Sequence, residues 1–162
     1  MPAQIAPDSF TFQGTTLETA PEALGPLRRS DDALGDFTEL RHRMQQDGYL
    51  FLPGLLHRNE ILSARSEIAR RLADAGLLHE SYPIADCIAA PAAQVNFMAE
   101  VARDNPRLDA VLYAGPMMEF YQSFLGGPVR HFDYTWFRAK APGNNATQPH
   151  YDVVYMGRGT RR

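Results

Sequence analysis

Two triplets carry the residue types and the spacing that metal chemistry needs: His131-Phe132-Asp133 and His150-Tyr151-Asp152. In extended backbone, residues i and i+2 project to the same side, so each triplet would present an imidazole and a carboxylate together. Two His and one carboxylate on one face of an octahedron is the ligand set of non-haem Fe(II) sites, which keep open positions for cosubstrate and dioxygen. The surroundings separate the two triplets. His150 and Asp152 follow a turn and enter an apolar strand, Pro149 to Met156, so they are the expected metal ligands. His131 and Asp133 lie amid Phe132, Tyr134 and Trp136 and are expected to be paired polar groups of the core. Trp136 and Arg138 share one strand face and are expected to line a cofactor or substrate pocket, with Arg138 pairing a carboxylate.

The elements that must position these side chains change character along the chain. Residues 1–33 read as an irregular lead-in rich in Pro, Thr and Ala, with at most a short strand at Phe10–Phe12. Order is expected from about Asp36, where Asp36 and Glu39 form a capping box. Phe37, Leu40 and Met44 then mark an apolar helical face that ends at Gly48. Tyr49 to Leu52 reads as a short buried strand closed by Pro53-Gly54. Asn59 is the expected cap of a second helix, through Ile61, Ile68 and Leu72 to Gly76. A third helix is predicted over about Gln94 to Asp104, and a longer helical pattern after Pro106 should be kinked or split at Pro116 and end at Gly126.

From Val129 to Lys140 the residues become β-branched and aromatic, in two alternating sets. Helices first and strands last is the α+β order, and residues 34–162 are read as belonging to a single domain.

Composition bounds the possibilities. At 162 residues, 44% hydrophobic and 22% charged, the chain has the make-up of a globular domain. A net charge of −3 gives no general attraction to nucleic acid or anionic lipid, and no stretch approaches a membrane span. One cysteine, Cys87, forms no internal disulfide and suits a reducing compartment. No secretory signal is legible at the N-terminus, and a cytoplasmic location is expected. Residues 130–162 hold six basic and two acidic side chains, a local excess that could receive an anionic substrate or form a solvated face.

Two phrases together resemble one family. Asp47-Gly48-Tyr49-Leu50-Phe51-Leu52-Pro53-Gly54-Leu55-Leu56 resembles the opening of phytanoyl-CoA dioxygenase family proteins. Tyr134 to Arg138, Pro142-Gly143 and Thr147 to Tyr155 are similar to that family's first core strands and its metal-binding His-x-Asp.

The resemblance implies an Fe(II)- and 2-oxoglutarate-dependent dioxygenase that hydroxylates a small organic molecule with dioxygen. It implies helices packed on a double-stranded β-helix, or jelly roll, with iron held by His150 and Asp152. It also calls for a later His and a following basic residue that grips 2-oxoglutarate. Ten residues follow Asp152 and none is His. The chain is therefore expected to be the truncated N-terminal portion of such an enzyme, inactive by itself. The alternatives are a non-catalytic truncated product or binding module of the same fold lineage, and a small cupin-type metal protein using both His-x-Asp pairs.

Overall fold

A computed structural model describes residues 10–12, 15–91, 93–132, 134–141, 147, 150 and 152. The chain divides into two compact units, residues 1–55 and 56–162.

In the first unit, β1 (Phe10–Phe12) and β2 (Thr15–Leu17) pair antiparallel in the register Phe10↔Leu17, Thr11↔Thr16 and Phe12↔Thr15. The helix α1 spans Phe37–Asp47. The Asp36 carboxylate accepts from the backbone N–H of Thr38 at 3.1 Å and of Glu39 at 3.0 Å, satisfying donors that a helix start leaves open. Gly48 closes the helix in the left-handed conformation at φ +77°.

The buried stripe of α1 is not the expected one. Leu40 is fully buried, but Met44 is 41% exposed and Arg43 takes the inward position. Arg43 forks onto Asp32 at 2.6 and 3.1 Å and onto Glu39 at 2.8 Å. Packing also begins before Asp36: Ser30 and Ala33 are buried, the latter in a 3₁₀ turn over Asp31–Ala33. Instead of a buried strand at Tyr49 to Leu52 there is one parallel bridge, Arg29↔Phe51, with Phe51 largely exposed.

The second unit begins with α2 (Arg58–Asp74), whose N-cap is His57; Asn59, the expected cap, lies inside the first turn. A loop folds back as a bridge, Leu78↔Ala89, around a 3₁₀ turn at Ile84–Asp86. The helices α3 (Ala99–Ala102), α4 (Pro106–Leu112) and α5 (Gly115–Leu125) follow, and α2 packs against α3 and α4. Their shared core holds Ala64, Ala69, Val101, Ala102, Val111 and Phe120. The predicted long helix is split as expected: α4 stops at Leu112 and α5 restarts with Pro116 in its first turn, where a missing N–H costs nothing. Gly126 ends α5 at φ +75°.

Only four residues of the third predicted helix are helical, because the chain before them pairs elsewhere. Met98 N–H donates to the Phe137 carbonyl at 2.9 Å and Ala139 N–H to the Asn96 carbonyl at 3.1 Å, around an antiparallel bridge Phe97↔Arg138. Among the described residues 129–141, that bridge is the sole ladder contact. Burial still alternates there: Thr135, Phe137, Ala139 and Ala141 are half-buried while Tyr134, Trp136, Arg138 and Lys140 are exposed. This is the period of two expected of a strand. No helix among the described residues is long and apolar enough to cross a membrane.

Candidate functional site

The 96–98 segment fixes the backbone at Phe137–Ala139 and so sets which side chains face out. Trp136 and Arg138 share that outer face, as the alternation predicts. The Arg138 guanidinium carbon lies 5.4 Å from the Trp136 ring centroid, a cation–π distance. Trp136 meets Phe97 edge-on at 5.1 Å, and Tyr134 stacks on Phe97 at 6.3 Å. Arg138 Nη1 donates to Thr147 Oγ1 at 3.2 Å, three residues before His150. Trp136 remains 53% exposed, so one aromatic surface and one guanidinium stay open to an incoming molecule.

His150 and Asp152, the expected metal ligands, approach each other as an ion pair. His150 Nε2 lies 3.1 Å from Asp152 Oδ1, with the Asp152 side chain 83% exposed. Two donors at bond lengths near 2.1 Å in adjacent octahedral positions stand about 3.0 Å apart, so this nitrogen and oxygen fit two ligand positions of one first-row metal ion. Most of the expected strand, Pro149 to Met156, lies outside the described residues. Asp152 itself has helical rather than extended backbone, so the strand repeat is not what joins the pair. Among the described residues, no group of three or more His, Cys, Asp and Glu converges on one point.

His131 is placed differently from the expectation. It is exposed rather than in the core, with its ring stacked on Tyr113 at 3.8 Å and 22° and its Nδ1 2.9 Å from the Phe132 carbonyl. Asp133, its expected partner, lies outside the described residues. His131, Tyr113, Tyr134 and Thr135 instead border a cleft of about 290 Å³ together with Asp104 and Asp109. The hydroxyls of Tyr113 and Thr135 are hydrogen-bonded to each other at its wall. Sequence reasoning missed this cleft because its residues come from α3, α4 and the 131–135 segment, with no local spacing to connect them.

The electrostatics that hold the cleft wall lie on α2. Glu67 is held down at about 2 by hydrogen bonds from Arg70 and Arg71. Arg71, oriented by Glu67, donates onward to the carbonyls of Val101, Arg103 and Asp104, capping the end of α3. Asp104 sits in left-handed backbone at φ +51° at that turn. Asn105, fully buried, then caps α4 by accepting from Leu108 N–H at 3.1 Å.

Comparison with family models, with curated proteins and with solved structures gives no match.

Proposed function

We propose that this chain belongs to an Fe(II)- and 2-oxoglutarate-dependent dioxygenase, built as helices on the first strands of a jelly roll and acting on a small organic molecule. The observation that supports it most is the 3.1 Å approach of His150 Nε2 to Asp152 Oδ1, in the same unit as the Trp136 and Arg138 face. His150 and Asp152 would hold the iron, which when bound supplies dioxygen activation coupled to decarboxylation of the cosubstrate.

The chain's own residues bind and orient. Arg138 offers a planar pair of N–H donors to a carboxylate. Trp136 shields that pair from water on one side, which strengthens it. The single cysteine and the acidic net charge fit a cytoplasmic protein without a nucleic-acid or membrane partner.

The test is 2-oxoglutarate turnover in protein that carries this chain together with a late-strand His and Arg. Asp152→Ala is expected to abolish succinate formation, since a lost carboxylate ligand removes both charge and geometry from the site. Undiminished turnover in that variant would sink the assignment. Iron binding with no turnover in the parent protein would instead favour the binding-module alternative.

A further inference from the structure

The segment 134–141 is paired along one edge and open along the other. Phe137 C=O accepts from Met98 N–H, and Ala139 N–H donates to Asn96 C=O, so both residues turn their backbone towards 96–98. In an antiparallel ladder the alternate residues turn theirs the opposite way. Tyr134, Trp136 and Arg138 therefore direct N–H and C=O away from 96–98, and among the described residues these groups make no hydrogen bond. Such an edge is a template for a further strand.

The side chains decide which strand. Tyr134, Trp136, Arg138 and Lys140 share the exposed face. Arg138 and Lys140 bond neutral oxygens there, Thr147 Oγ1 at 3.2 Å and Asn96 Oδ1 at 3.3 Å. Neither forms an ion pair among the described residues, and residues 134–141 hold no Asp or Glu. A row of two cations and two aromatic rings favours an added strand with carboxylates opposite the cations and apolar side chains opposite the rings. A second copy of the same edge would instead bring further cations onto that face, where like charges are destabilising.

We infer that this edge is a docking site for an extended acidic peptide, which adds as a strand beside Tyr134–Arg138 and sets carboxylates against Arg138 and Lys140. Main-chain bonds supply the affinity in this mode of recognition, and alternate side chains supply the choice of sequence. Neither expected iron ligand belongs to the edge, so the docking site stands apart from the iron reading.

The probe is a capped, labelled peptide, Glu-Thr-Glu-Thr-Val-Thr-Val, titrated by fluorescence anisotropy into the metal-free 162-residue chain. Because Arg138 is also assigned to the cosubstrate pocket, 2-oxoglutarate is left out. The peptide is expected to bind about tenfold more tightly than its Lys-for-Glu counterpart, the scale of exchanging two opposite-charge pairs for two like-charge pairs. Added salt should shrink that difference. In the double variant Arg138→Glu, Lys140→Glu the preference should reverse, a rescue that an unfolded chain could not give. N-methylation of one alternate set of peptide amides should abolish binding to the parent chain, and methylation of the other set should leave it, because every second N–H faces the edge. Asp152→Ala should leave peptide binding unchanged, which separates this result from the fate of the iron site. Equal affinity for the two peptides, no reversal in a folded double variant, or equal sensitivity to methylation of either set would overturn the inference. So would a dimer of the peptide-free chain that sediments unchanged when peptide is added, since it would give the edge to a second copy.

Discussion

At the scale of the residue, the pairings legible in the sequence are those set by one element alone. Trp136 and Arg138 were expected on one face because a strand alternates, and they are found on one face, 5.4 Å apart. His131 was misjudged for the converse reason. Its surroundings in sequence are aromatic, but its position is decided by Tyr113, eighteen residues earlier on another element. Arg43 shows the same limit, since a guanidinium moves inward when two carboxylates and a carbonyl receive it.

The site proposal has a residue-scale readout, because Trp136 is the only tryptophan. Adding 2-oxoglutarate in the presence of Fe(II), without oxygen, should change Trp136 fluorescence, and Arg138→Ala should remove the response. An unchanged spectrum in the parent chain, or an undiminished response in the variant, would take Trp136 and Arg138 out of the cosubstrate pocket.

At the scale of the element, the capping signals of α1 and α5 were read well, while the cap of α2, expected at Asn59 and found at His57, and lateral pairing were not. Asp36, Gly48 and Gly126 act where the sequence places them, since a cap is satisfied within four residues. The third helix was over-extended because Gln94 to Met98 have a helical pattern that pairing with Phe137 and Ala139 overrides. Asp36→Ala should lower stability by about 1 kcal/mol through loss of the cap. Leu40→Ala should cost about 2–5 kcal/mol, since Leu40 is fully buried and leaves a cavity. Chemical denaturation measures both, and an Asp36 effect as large as the Leu40 effect would contradict this ranking.

Stability should also depend on pH through α2. Glu67 is lowered from 4.5 to about 2, so the folded state binds its proton later than the unfolded state. Its contribution is present above about pH 4.5 and is lost as pH falls towards 2. Asp32 and Glu39, lowered by hydrogen bonds from Arg43, act in the same direction. The thermal midpoint should therefore be flat near neutrality and fall on acidification, with a shallower fall in Glu67→Gln. An identical acid slope in that variant would remove Glu67 from the account.

At the scale of the whole molecule, the chain combines a capped helical framework with an extended aromatic segment whose outer face is open. The framework was largely legible, because helix periodicity and Gly and Pro punctuation are local signals. The cleft between α3, α4 and the 131–135 segment was not, because it exists only once those parts are packed together. His150 and Asp152 lie 3.1 Å apart, but the strand on which their approach was expected is not what joins them, since Asp152 is helical.

The most direct test of the central claim is an oxygen-free Fe(II) titration of the 162-residue chain by equilibrium dialysis, alongside Asp152→Ala and His131→Ala. The account predicts one weakly held iron per chain, with affinity reduced at least about tenfold in Asp152→Ala, since losing even an outer-shell partner of a ligand costs that much, and unchanged in His131→Ala. Equal affinity in the parent and Asp152→Ala, or a loss confined to His131→Ala, would contradict it.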